Sequence, residues 1–241
     1  MRPQTDDGTQ QRDFIVLEFR IARWHISNDP AQLDKPPQRL ELKELVAIAP
    51  QYQGGDYLPN QAQEMAVLRK LPGYQPLSGT YSSVRSLLQT MPAGIIHFSG
   101  HGVVGDAKHP TYAIRLEDRE LDVLTWRGMT RPTRQQHPFV FLNACDIGVA
   151  QKVANFVDGW APAVLETGAG GYVGGLWPLT DKAAAGFSET FYTRLYGGLR
   201  KGAVKAAEIL RLARRDFLKT GDPTYLAYPY YGDVNLSFVQ N

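Results

Sequence analysis

Two residues in this sequence have the chemistry of a nucleophile and its proton partner. They are Cys145 and His101, which lie 44 positions apart in the words Asn143-Ala144-Cys145-Asp146 and Ser99-Gly100-His101-Gly102. A thiol acts as a nucleophile through its thiolate, so it needs an imidazole nearby to take the proton and later protonate the leaving amine. It also needs N–H donors aimed at the oxyanion that develops on the attacked carbonyl. Gly102 lets a substrate come close to the backbone, and its N–H, with that of Cys145, supplies two candidate donors. Cys145 is the only cysteine in the chain, so an intrachain disulfide is excluded and the residue is either core filler or chemistry.

Both residues follow apolar runs. Residues 93–98 (AGIIHF) and 137–144 (HPFVFLNA) are short, apolar and bounded by Gly or Pro, the signature of strands buried on both faces. Further strands are predicted at 14–21 (FIVLEFRI), 39–48 (RLELKELVAI) and in the glycine-rich stretch 171–175. Helical spacing predicts helices at 60–70, capped by Asn60, at 80–89 and 161–167, and two long ones at 181–196 and 202–219. Strands that alternate with helices make an α/β protein, a mostly parallel sheet with helices on both faces. Sites in such sheets form at the carboxyl ends of the strands, where His101 and Cys145 fall.

Together these words resemble the CHAT domain, a bacterial caspase-like family related to separases and caspases. The resemblance runs over roughly residues 58–239 and rests on an ordered set of markers: HFSGHG at 97–102, FLNACDIG at 141–148, LETGAGGYVGGLWPLTD at 165–181, Phe191-Tyr192 in the helix that follows, and YPYYGDVNLSF at 228–238. Caspases likewise carry their histidine about 50 residues upstream of the cysteine. The resemblance implies a caspase-like three-layer sandwich and a cysteine endopeptidase. In it His101 is the general acid/base, Cys145 the nucleophile, and the N–H groups of Gly102 and Cys145 the oxyanion hole. The sequence departs from the family where Asn143 replaces a frequent Ser, and where Gly232-Asp233 replaces a common Trp-Ala pair. A caspase-like shape that binds a partner without cleaving it is the alternative reading.

Other residues are weighed against their plainer roles. Asp146 offers a carboxylate to a basic P1 residue of a substrate, or caps its own turn. Trp177 stands in the loop after the glycine-rich strand, which edges the substrate cleft in caspase-like folds, and either meets the peptide or packs on the core rim. Asp181 is expected to cap a helix. His97 and His101 have metal-pair spacing, but on a strand four residues span about 13 Å, too far for one ion. No metal or other cofactor is expected. Val173 breaks the dinucleotide pattern begun at Gly168 and Gly170, so those glycines are read as close packing between helix and strand. Ser99 lacks the flanking glycines of a serine-hydrolase elbow. The basic residues of the last helix, Arg200 through Lys219, read as a solvated face.

Composition narrows the partners. The 241 residues suit one domain, taken as 13–241 with a disordered lead-in at 1–12. A net charge of +2 with both signs spread along the chain gives no nucleic-acid field. No apolar run approaches the roughly 18 residues of a membrane span, and the polar N-terminus is no secretory signal, so the cytoplasm is the expected compartment. The expected partners are a protein substrate and a regulatory protein or sensor domain outside this chain, one that orders the loops around 103–112 and 146–160.

Overall fold

A computed structural model of the chain describes residues 14–23, 37–90, 94–105, 111–130, 136–144, 151–153 and 156–240. In chain order the first elements are α1 (Ile15–Glu18), β1 (Arg39–Glu41), β2 (Glu44–Ile48), α2 (Gln61–Leu68), β3 (Tyr74–Leu77), α3 (Tyr81–Thr90) and β4 (Gly94–Ser99). There follow β5 (Gly102–Val104), β6 (Tyr112–Arg115), β7 (Glu120–Asp122), α4 (Val123–Met129), β8 (Phe139–Asn143), β9 (Gln151–Val153), β10 (Phe156–Asp158) and α5 (Trp160–Glu166). The chain ends with β11 (Gly171–Gly174), α6 (Asp181–Leu199), β12 (Val204–Lys205), α7 (Ala206–Phe217), β13 (Tyr230–Gly232) and β14 (Ser237–Val239).

Six strands form the main sheet in the order β13-β11-β8-β4-β2-β3. The four pairings from β11 to β3 are parallel, and only the edge strand β13 runs the other way. Because side chains alternate along a strand, each central strand feeds two separate cores. Leu45, Ala47, Ile95, Phe139, Phe141 and Val173 face one way, against α2, α6 and α7. Ile48, Ile96, Phe98, Val140, Leu142 and Tyr172 face the other, against α3, α4 and α5. This is the three-layer α/β architecture expected from the sequence. Small antiparallel sheets attend it, β5-β6-β7 beyond the carboxyl end of β4 and β9-β10 beyond that of β8, while β1-β14-β12 forms a mixed one.

Several local expectations are corrected. The run at 14–21 is not a strand: α1 is a single turn that buries Leu17 against α7, while Phe14, Ile15 and Phe19 stay exposed. A continuous apolar run carries no period by which to tell helix from strand. The stretch 39–48 is two strands in two sheets, because Leu42 N–H bonds to Val239 and Leu45 N–H to Gly73, on different neighbours. The helix expected from 202 starts at Ala206, after the β12 pairing. On that helix Arg214 is only 4% exposed and donates to the Tyr228 carbonyl, so it does not belong to the solvated basic face. Residues 1–12 lie outside the described residues.

Candidate active site

The two strands that precede the candidate pair are neighbours, in register from Ile95↔Phe139 to Ser99↔Asn143. His101 and Cys145 each follow their last paired residue by two positions, and adjacent strands lie about 4.8 Å apart. The two exits from the sheet are therefore side by side, linked by a 3.2 Å bond from Gly100 N–H to the Asn143 carbonyl. Cys145 and Asp146 lie outside the described residues, although Ala144, just before them, is buried. The glycine run of β11 serves this corner. A Cβ on Gly175 would sit 2.8 Å from the Ala144 carbonyl oxygen, closer than any side chain tolerates.

His101 is held by the segment that follows β2. Its Nε2 lies 2.7 Å from the backbone oxygen of Asp56. A carbonyl only accepts, so Nε2 carries the hydrogen, and Nδ1 of the neutral ring keeps the free lone pair. The Tyr52 ring lies against the imidazole, with 4.7 Å between centroids. Its hydroxyl accepts from His101 N–H at 3.2 Å and donates to the Arg115 carbonyl at 2.6 Å. Arg115 N–H returns a 3.0 Å bond to the His101 carbonyl. The phenol thus takes the place of one ladder bond between His101 and Arg115 and fixes the backbone from which the imidazole projects. Burial pushes the Tyr52 phenol up to about 12, against the lowering effect of its bond to His101 and the charge of Arg115. Gly100 is small of necessity, since a Cβ there would meet the Tyr52 hydroxyl at 2.5 Å and the Phe98 ring at 2.7 Å.

Gly102 opens β5, opposite Ile114 of β6. Bonds from Arg115 N–H to His101 and from Gly105 N–H to Thr111 mark the hydrogen-bonded pairs of this ladder. Gly102 falls between them at a non-hydrogen-bonded position, so its N–H is turned away from β6. That is the disposition an oxyanion donor requires.

Beneath the exits lies a buried polar cluster that sequence reasoning missed. Glu64 of α2 accepts from His97 Nε2 at 2.9 Å, from Asn143 Nδ2 at 2.8 Å and from the Ser99 hydroxyl at 2.7 Å. His97 Nδ1 pairs with the Tyr192 hydroxyl at 3.0 Å, and Tyr228 donates its hydroxyl to Asn143 Oδ1 at 2.5 Å. Burial opposes ionisation of Glu64, but the His97 hydrogen bond and charge, with the Ser188 and Ser99 hydroxyls, prevail and hold the carboxyl below its usual range. A sequence signal existed in the polar residues His97, Ser99 and Asn143 at the same-facing, alternate positions of two otherwise apolar strands.

The remaining candidates fall into place. His97 points into the core beside Glu64 while His101 stands outside it, so the two do not converge, and no cluster of three metal-ligating side chains occurs among the described residues. Asp181 does not cap its helix: Thr180 does, accepting from Ala183 N–H, while Asp181 Oδ2 accepts from Asn60 N–H at 2.6 Å and from its side-chain amide at 2.9 Å. Asn60 accordingly spends its side chain on α6 instead of capping α2. Trp177 is 37% exposed, three residues past β11, at the same carboxyl edge of the sheet. Tyr57, next to the Asp56 carbonyl that holds His101, is 61% exposed on the β2 side. Among the described residues, no helix is long and apolar enough to cross a membrane.

The model of the CHAT domain matches residues 9–231. The chain belongs to the CHAT domain family. Solved structures similar to this CHAT chain include a separase and an Arg-specific cysteine proteinase. One is separase from Saccharomyces cerevisiae in its complex with securin, at a TM-score of 0.57 and 16% identity, with 85% of this chain and 13% of the separase chain covered. Another is the Arg-specific cysteine proteinase gingipain R, at a TM-score of 0.56 and 12% identity, with 81% of this chain and 47% of the proteinase covered. The Porphyromonas gingivalis complex of gingipain RgpB pro- and mature domains matches at a TM-score of 0.54 and 12% identity, over 81% of this chain and 48% of the other. The CHAT chain thus spans about half, or much less, of the proteins it resembles, and at these identities the likeness is one of fold. A comparison with curated proteins gives no match.

Proposed function

We propose that this chain is a cysteine endopeptidase that cleaves a protein substrate through a Cys145 thioester. The observation that carries the proposal is the placement of His101. It leaves the sheet beside the exit that leads to Cys145, with Nε2–H spent on the Asp56 carbonyl and Nδ1 left as the proton acceptor. The Cys145 thiol gives its proton to His101, and the thiolate adds to the scissile carbonyl carbon. Gly102 and Cys145 N–H groups receive the oxyanion. Collapse breaks the C–N bond, the amine leaves with the proton from His101, and a thioester remains. His101 then takes a proton from water, whose oxygen attacks the thioester and releases the acid and the thiol.

Asp146 is assigned to a basic P1 side chain and Trp177 to the peptide beside it. The regulator is assigned to a separate protein or domain; the stretches 103–112 and 146–160, expected as loops, contain most of β5, the start of β6, β9 and β10. Support for such a partner comes from the separase neighbour, which was solved bound to securin. A peptide-library digest compared between the parent chain and Cys145→Ala tests the function. Cleavage should fall by several orders of magnitude with the fold retained, and a folded variant that cuts at the parent's rate would end the proposal. A thiol-directed peptide ketone separates the enzyme from a silent interaction module, because only the enzyme is labelled at Cys145 in a His101-dependent manner.

A further inference from the structure

Glu64 is a buried carboxylate that no step of the proposed hydrolysis uses. Its three donors come from two strands: His97 and Ser99 from β4, Asn143 from β8. One turn earlier on α2, Gln61 donates its side-chain amide to the Ser99 carbonyl at 2.8 Å. A carboxylate withdrawn from water is tolerated only with its lone pairs occupied, so the groups that occupy them are held in fixed positions. Two of them, Ser99 and Asn143, are the last register pair before the chain departs for His101 and Cys145.

We propose that Glu64 is a positioning residue that sets the lateral spacing of the two strand exits, and through it the separation at which the His101 imidazole and the Cys145 thiol meet. The inference rests on the His101 and Cys145 reading and adds to it the part that fixes their distance. An opposite charge favours a thiolate only within about 4–6 Å, so a small parting of the exits weakens the thiol's activation even in a folded protein. Glu64→Gln places an amide N–H₂ among groups that are themselves donors, which turns one attraction into a repulsion. Ser99→Ala removes one donor and leaves the carboxylate with the other two.

Cys145 is the only thiol of the chain, so its alkylation by iodoacetamide reports on it alone. The rate is followed by mass spectrometry across the pH range in which a thiol ionises, with circular dichroism recording that each variant is folded. In the parent, ionisation should occur below that of a free cysteine, and His101→Ala should restore free-cysteine behaviour. Glu64→Gln should slow alkylation near neutral pH by on the order of tenfold, and Ser99→Ala by about threefold. If His101→Ala leaves the profile unchanged, the active-site reading falls and takes the positioning role with it. If His101→Ala shifts the profile while folded Glu64→Gln and Ser99→Ala both keep the parent's, the positioning role alone is overturned. Should Glu64→Gln fail to fold, Ser99→Ala decides by the same criterion.

Discussion

Ser99 and Asn143 face each other in register at the carboxyl ends of β4 and β8, and their side chains bind the same Glu64 carboxylate. A buried carboxylate and its donors therefore sit at the level of the sheet from which the candidate dyad departs. Asn143, where the family often has Ser, extends this arrangement: its amide reaches Glu64 and its carbonyl oxygen takes the Tyr228 hydroxyl.

Tyr52→Phe keeps the ring against His101 but loses the hydroxyl that joins His101 N–H to the Arg115 carbonyl. With its phenol pushed up to about 12, that hydroxyl is protonated at any working pH and both bonds persist. Their loss should cost about 1 kcal/mol in the fixing of the imidazole, read as a several-fold drop in kcat with KM little changed. Steady-state kinetics on a cleaved peptide make the measurement, and equal effects on kcat and on thermal stability in Phe and Ala variants would point to a packing role only.

Asp56 offers a contrast between backbone and side chain. Its carbonyl holds His101 Nε2, whereas its carboxylate pairs with Arg115 at 2.9 Å with both side chains substantially exposed, 58% and 38%. An exposed ion pair contributes about 0–1 kcal/mol. Asp56→Asn should therefore retain most of the parent's kcat/KM, and raised salt should affect both proteins alike. A hundredfold loss would show that the carboxylate itself serves the histidine.

The legible parts of this molecule were those written in contiguous residues. The strands that lead to His101 and Cys145, the α/β alternation and the helix at 181 follow from apolar runs and their period, and so does the last helix except for its start, which lies at Ala206 and not at 202. The illegible parts depend on pairing across distance. β3, with Pro76 inside it, and the two-residue β12 exist only because a neighbouring strand accepts them. Glu64 is a core residue because of three donors that lie from 33 to 79 residues away in the sequence, which no local pattern brings together. Asn60 and Asp181 each carried a capping side chain in sequence terms and spent it on the other.

Trp177 stands exposed past β11, the neighbour of β8, and Tyr57 stands exposed past β2, the neighbour of β4. If the peptide lies across this edge, Trp177→Ala removes contact surface that binds ground state and transition state alike. KM should then rise by roughly five- to tenfold, the effect of about 1 kcal/mol of lost burial, with kcat nearly unchanged. A fall in kcat with KM constant would assign Trp177 to the loop's structure instead.

The glycine at 175 gives a test of the Cys145 exit. A Cβ there would press on the Ala144 carbonyl at 2.8 Å and on Leu179 at 3.0 Å, and backbone cannot swing aside as a flexible side chain can. Gly175→Ala should displace the residue before Cys145 and lower peptidase activity by tenfold or more, an angstrom-scale misplacement being costly. Gly128→Ala, with open space around the added Cβ, is the matched control and should leave kinetics as they are.

Glu64 also predicts the acid limb of stability. Its folded-state carboxyl is held below the usual range, so ionisation favours the fold. The stability it contributes is complete above the unfolded carboxyl's pKa, about 4.3, and is lost as pH falls through the lower folded value. Asp216, lowered by the Arg194 hydrogen bond, and Glu208, lowered by that of Arg211, act in the same direction from partly exposed pairs near the surface. Glu64→Gln should therefore cost about 2–3 kcal/mol at neutral pH, where donors are left unsatisfied. The gap between parent and variant should narrow on acidification, because the parent alone has this proton to gain. Thermal unfolding of both proteins over a pH series decides the matter, and a gap that stays constant to low pH would show that Glu64 is not ionised in the folded chain.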